Sequence, residues 1–129
     1  MKRKLNKYVV IIMVSLLAFA CSIIYEEDLS KGVLFINMPL HGTETNVQEQ
    51  VFWWETLEGV IKYRLQIVEG SFREPYYFVA DTNIAGDKFI IDLSPGSYEW
   101  RIQGWNNYSE TVYFYSVLNI TDTVLIHEE

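Results

Sequence analysis

From Val33 to Ile120 the chain runs in short stretches rich in Val, Ile, Phe, Tyr and Trp, each closed by turn-forming residues. β-Branched and aromatic side chains suit a pleated, half-buried surface, and no stretch sustains the 3.6-residue apolar period of an amphipathic helix. Strands are therefore expected over Val33–Met38, Gln48–Glu55, Ile61–Val68, Tyr76–Ala80, Lys88–Leu93, Tyr98–Trp105 and Thr111–Ile120. Thr123–Ile126 would extend the last strand or add a short one. The separators are Pro39 to Asn46, Glu58-Gly59, Gly70 to Pro75, Gly86-Asp87, Ser94-Pro95-Gly96 and Asn106 to Glu110. Seven strands at this spacing predict an all-β, antiparallel β-sandwich.

Alternation assigns the faces. Phe52 and Trp54 should point inward, with Tyr63, Leu65, Ile67, Phe89, Ile91, Leu93, Tyr98, Trp100, Ile102, Leu118 and Ile120. On the first strand, Leu34 and Ile36 are the inward pair rather than Val33 and Phe35. The complementary positions Lys62, Arg64, Gln66, Arg101 and Gln103 are polar, as an antiparallel sheet with one wet face requires.

The N-terminus is different in kind. Lys2, Arg3, Lys4 and Lys7 precede an apolar run from Tyr8 to Ala20 broken only by Ser15. That run is shorter than the ~20 residues of a membrane span and fits the core of a secretory signal. It ends on the chain's single cysteine, Cys21, behind the small residue Ala20. Leu17-Ala18-Phe19-Ala20-Cys21 resembles the lipobox of bacterial lipoproteins, although the strictest form has Leu at position 18 and a small residue at 19. The resemblance implies cleavage before Cys21 and lipidation of its thiol. Residues 1–20 are then a signal peptide, 21–31 a lipidated tether and 32–129 the sandwich.

With one cysteine, no intramolecular disulfide can form, and the domain must hold together by its core. All 17 acidic residues follow Cys21, whereas four of the ten basic ones precede it, so the exported part is more acidic than the net −7 of the whole chain. Such a surface lacks the basic stripe that nucleic acid requires and is repelled by anionic headgroups. The membrane is thus reached through the lipid. Glu26, Glu27 and Asp28 read as a solvated tether. They also resemble the acidic export signal of surface lipoproteins of the Bacteroidota type.

Trp54, Gly59 and Tyr63 in WETLEGVIKYRLQIV, followed by KFIIDLSPGSYEWRIQGWN, resemble the fibronectin type III superfamily, and more narrowly the single such domains of Bacteroidota-type lipoproteins. The resemblance implies a buried Trp54 and a corner in which Tyr98 bonds back to the preceding turn. It says almost nothing about function, because this immunoglobulin-like sandwich hosts many roles.

No catalytic constellation is visible. His41 and His127 belong to no local motif, there is no glycine-rich phosphate loop, and no His/Cys cluster has metal-ligand spacing. Neither an enzyme nor a cofactor is expected. Asp122-Thr123-Val124 resembles an O-glycan acceptor of exported Bacteroidota-type proteins, with Thr123 as the modified residue. The remaining clue is aromatic: four Trp, nine Tyr and seven Phe. Most belong in a core. Trp53 does not, having opposite parity to Trp54, and Trp105, Tyr113 and Tyr115 should share an outer sheet face with Arg64, Gln66, Arg101 and Gln103. Flat rings beside planar amides and guanidinium groups suit stacking on a sugar or on a partner protein. The competing expectation is that these aromatics only cover one another and the arginine stems. The reading is a noncatalytic, lipid-anchored module of the outer membrane, facing the periplasm or the cell surface. It would act by binding an unidentified protein or glycan or as a structural part, with a carbohydrate-binding accessory lipoprotein as the alternative.

Overall fold

In a computed structural model, residues 6–23 and 27–122 are described. One helix, α1 (Lys7–Ile23), precedes eight strands: β1 (Ile36–Met38), β2 (Thr43–Thr45), β3 (Glu49–Trp54), β4 (Lys62–Gly70), β5 (Pro75–Ile84), β6 (Lys88–Asp92), β7 (Gly96–Trp105) and β8 (Phe114–Ile120). Among the described residues, no helix is long and apolar enough to cross a membrane. The strands form two sheets, one in the order β1-β3-β6 and one in the order β2-β8-β7-β4-β5. All pairings are antiparallel except β2 with β8. Both sheets turn one face inward, which makes the domain an all-β sandwich.

The core follows the expected parity. Leu34, Phe52, Trp54, Tyr63, Leu65, Ile67, Leu93, Tyr98, Trp100, Ile102, Leu118 and Ile120 form one buried cluster, with Ile36, Phe89 and Ile91 packed against it. Val33 and Phe35 are exposed. Edge-on packing of Phe52 on Trp100, with centroids 5.1 Å apart, ties the two sheets together, and Trp54 leans on Tyr63 at 5.4 Å. The indole N–H groups of Trp54 and Trp100 are buried without a partner, a local cost accepted for the area these rings bury. The Tyr98 hydroxyl donates to the Ser94 carbonyl, closing a corner at the start of β7.

Several boundaries differ from the sequence expectation: the first strand starts at Ile36 rather than Val33, β7 starts at Gly96 rather than Tyr98, and four further differences have a visible cause. β2 lies inside the segment read as a separator, because Thr43-Glu44-Thr45 carries no apolar signal and owes its extended form to pairing with Leu118–Ile120. β5 runs on to Ile84 through polar Asp81-Thr82-Asn83, since β4 offers a ladder there. β4 likewise continues to Gly70, where φ of +89° starts the hairpin turn. β8 begins at Phe114 rather than Thr111. The Thr111 side chain is buried and accepts from the Gly104 N–H, while its own N–H bonds the Gly104 carbonyl.

The segment read as a solvated tether is in part docked. Leu29 is buried and its N–H donates to Ser109 Oγ at 2.8 Å. The Glu27 carbonyl accepts from Asn106 Nδ2 at 2.8 Å, and the same amide reaches the Gly59 carbonyl at 3.2 Å. Gly59 has φ of +89°, and a Cβ there would come within 3.0 Å of the Glu27 side chain, so both the turn and the docking call for glycine. Asp28 makes a local turn by accepting the Ser30 N–H, which holds its carboxyl below the usual range. Glu26 lies outside the described residues.

Candidate functional site

Register brings the predicted face together on the outer side of β5, β4, β7 and β8. Asp81, Gln66, Arg101 and Tyr115 stand opposite one another in a single row across the four strands. Asn83, Arg64 and Gln103 form the next row, and Lys62 beside Trp105 the one after. Parity and topology, both legible in the sequence, therefore gather the residues as expected. Their accessibility is another matter.

The first row is a closed network. Arg101 Nε donates to Gln66 Oε1 at 2.6 Å, Gln66 Nε2 to Asp81 Oδ2 at 3.1 Å, and Arg101 reaches the Tyr115 hydroxyl at 3.3 Å. Arg64 grips Asp81 with two bonds of 3.0 Å. Above this network, Phe72 folds back from the β4–β5 hairpin, its N–H held by Glu99 at 3.5 Å. The Arg101 guanidinium carbon lies 4.1 Å from the Phe72 ring centroid, 4.7 Å from Tyr113 and 5.8 Å from Tyr115. Gln66 is consequently 5% exposed, a correction to its place among the ligand-facing groups. Arg101 is half-buried, its cation flanked by three rings. Sequence reading missed Phe72, which sits in a turn segment where alternation carries no information.

The second and third rows remain open. Trp105, Arg64, Asp81, Asn83, Gln103 and Glu110 line a hollow of about 480 Å³. Trp105 is half-buried, with the Lys62 ammonium 6.0 Å from its ring centroid. A smaller hollow of about 360 Å³ lies along Trp105, Asn106, Tyr108 and Glu110. Gln103 donates to the Thr111 carbonyl at 2.9 Å, which fixes its amide plane. The Arg64 pair holds the Asp81 carboxyl below the ordinary carboxylate range and raises Arg64 in turn. The result is a flat indole beside amides, one guanidinium and two carboxylates, with Arg64 and Asp81 neutralising each other.

A second aromatic region adjoins the network. Tyr76, Tyr77 and Phe78 on β5 are 89%, 66% and 50% exposed, and Tyr115 is 51% exposed. Phe72 joins them, 6.4 Å from Phe78 and 6.1 Å from Tyr115 between ring centroids. Trp53, on the other sheet, is half-buried under the Lys88 ammonium 5.2 Å away.

Elsewhere, His41 Nδ1 lies 3.1 Å from Ser116 Oγ, a pairing that sequence distance conceals. Ser116 is 1% exposed and follows the inward parity of β8, so the bond satisfies a buried hydroxyl. Among the described residues, no His, Cys, Asp or Glu cluster could hold a metal ion. Cys21 falls within α1, while Thr123 and His127 lie outside the described residues.

Fold and face together define a β-sandwich with an open polar hollow and an aromatic rim on one sheet. No family model matches this chain, and no curated protein is significantly similar to it.

Proposed function

We propose that this chain is a noncatalytic, lipid-anchored binding module of the bacterial cell envelope, carried on the outer membrane. Its ligand surface is the hollow beside Trp105. The observation that carries this reading is the juxtaposition of a half-buried indole with the planar polar groups of Arg64, Asn83 and Gln103. A pyranose ring stacks on such an indole while its hydroxyls bond the flanking amides and carboxylates. Because Arg64 already neutralises Asp81 and Glu110 adds a further negative charge, the hollow suits a neutral glycan better than an anionic one. Support for a noncatalytic role is that Ser116 is buried and Asp81 is held by Arg64 and Gln66. The domain is best read as fibronectin type III-like. Strand order, the buried Trp54 and the bond from Tyr98 to the turn before β7 all favour that reading.

The anchor rests on the charged start, the short apolar run and the small residue before Cys21. Cys21→Ser should abolish labelling by a fatty-acid analogue and leave the precursor uncleaved or released. A protein that still partitions into detergent as mature product would refute lipidation. For the ligand, a glycan array probed with the wild-type chain and with Trp105→Ala decides. Binding lost in the variant supports the hollow, and binding that survives it, or binding to no glycan, removes it. In that case the exposed Tyr76, Phe78 and Tyr115 make a protein partner or a structural role the better reading.

A further inference from the structure

One wall of the Trp105 hollow is bonded to the segment that precedes the sandwich. Trp105 and Glu110 face each other as a single antiparallel bridge, and both line the hollow. Between them Asn106–Ser109 form a tight turn, closed by the Asn106 N–H on the Ser109 carbonyl at 3.0 Å. The turn is wound around one side chain. Asn106 Oδ1 accepts the Tyr108 N–H at 2.9 Å and the Ser109 N–H at 2.7 Å, while Nδ2 donates to the Glu27 and Gly59 carbonyls. With two bonds accepted and two donated, an amide only 5% exposed uses its full capacity.

Part of this arrangement comes from outside the turn. Glu27 brings its carbonyl to Asn106, and the Leu29 N–H is accepted by Ser109 Oγ. Leu29 is 2% exposed and lies against Gly59, where an added Cβ would stand 3.3 Å from its Cδ2. At Gly32 an added Cβ would come within 2.8 Å of Leu57 and 3.3 Å of Thr111, the residue that accepts the N–H of Gly104 just before Trp105. Glu27–Gly32 is therefore packed against the elements on either side of the bridge. If Glu27 and Leu29 lift away, Asn106 Nδ2 loses its shorter bond and Ser109 Oγ loses its donor. Orphaned buried polar groups are costly, so the turn must rearrange to hydrate them.

We propose that docking of Glu27–Leu29 controls the hollow. The docked segment holds the Asn106–Ser109 turn, and through it Trp105 and Glu110, in the geometry that takes a glycan; release of the segment loosens that wall. This rests on the reading of the hollow as the ligand surface, with Asn106 as the positioning residue. Linkage is reciprocal, so a bound glycan tightens the segment by the factor with which the docked segment tightens the glycan. Tension between a lipid at Cys21 and a bound polymer would act on this segment first, so load favours release.

The test uses the full-length chain in detergent, labelled with fluorotryptophan, and compares it with Leu29→Ala, Leu29→Met and Ser109→Ala. In Leu29→Ala the Trp105 fluorine resonance should shift while those of Trp54 and Trp100 stay in place. Hydrogen exchange at Tyr108 and Ser109 should become at least about tenfold faster, with the amides of Leu65 and Ile102 unchanged as evidence of an intact core. Ser109→Ala, which keeps Leu29 but removes the acceptor of its N–H, should act in the same direction, and Leu29→Met should restore wild-type behaviour. A glycan retained from the array should bind Leu29→Ala at least about fivefold more weakly and should slow exchange of the wild-type Leu29 amide. A freely exchanging Leu29 amide with the Trp105 resonance and the turn unmoved overturns the proposal, as does equal glycan affinity in wild type and Leu29→Ala. Should no glycan bind, the reading of the hollow fails by itself, and the resonance and the turn's exchange still decide the coupling.

Discussion

Arg101 is the residue at which a ligand-binding and a scaffolding role separate most sharply. Arg101→Met keeps most of the aliphatic stem but removes the guanidinium. Gln66 Oε1, almost fully buried, then loses its 2.6 Å donor, and an unsatisfied buried acceptor costs about 1–3 kcal/mol. Loss of the cation from between Phe72, Tyr113 and Tyr115 adds about 0.5–2 kcal/mol. The sum, roughly 1.5–5 kcal/mol, is a large part of the stability of a disulfide-free domain. At about 4–8 °C per kcal/mol for domains of this size, the melting midpoint should fall by at least about 6 °C. The diagnostic is the double variant with Gln66→Leu, which removes the orphaned acceptor. Its cost should be smaller than the two single costs together by about 1–2 kcal/mol, measured by urea titration in a double-mutant cycle. A single-variant loss under about 0.5 kcal/mol, with additive behaviour in the double, would refute the idea that the rings and Gln66 form a unit around this cation.

Trp54→Ala should destabilise the domain by about 3–5 kcal/mol in a denaturant melt, and Trp53→Ala by much less, since Trp53 is half-exposed; equal losses would mean the register of β3 is misassigned. Tyr98→Phe should cost about 1 kcal/mol through the lost bond to Ser94, readable by the same melt. The Asp81 carboxyl is depressed by Arg64, so its pair contributes fully above the ordinary carboxylate pKa of about 3.9 and fades as pH falls through the lower folded value. Both side chains are more than two-fifths exposed, so the contribution is under about 1 kcal/mol, and Asp81→Asn should flatten the acid limb of a stability–pH curve by no more than that. Replacing Glu26, Glu27 and Asp28 by Ala should retain the domain inside the cell if the acids direct surface export, read by protease added to intact cells; unchanged exposure would reduce them to a spacer.

The core was legible because period-two alternation is a local property. Apart from Leu34, on a strand whose two parities are both apolar, every residue of the buried cluster is placed inward by parity alone. Val68 keeps the outward parity of Arg64 and Gln66, opposite Glu99 on β7, yet is fully buried, and alternation alone does not foresee an apolar side chain covered on the outer face. β2 was invisible because its extended form is imposed by β8. At the candidate site, parity placed Arg64, Gln103 and Trp105 correctly but could not foresee Phe72. A hairpin side chain folding over its own sheet depends on the three-dimensional path of the turn. That one ring changes Arg101 from a ligand group into a clamped strut.

The docking of Glu27 and Leu29 sets a standoff distance. If Cys21 is acylated, six peptide steps separate the lipid from Glu27, at most about 20 Å of chain. Glu27 is held at Asn106 and Gly59, the end of the sandwich where β7 finishes and β4 is about to begin. The ten residues of β7 then rise about 33 Å to the opposite end, where the β4–β5 hairpin carries Phe72. On the proposed lipidation, the module would be a short post with its foot near the bilayer and its highest point within roughly 50–55 Å of the surface. The Trp105 hollow sits at the foot and the Tyr76–Phe78 rim near the top. On that proposal a ligand for the hollow would lie in the layer immediately above the lipid, whereas the rim would meet partners that never approach it.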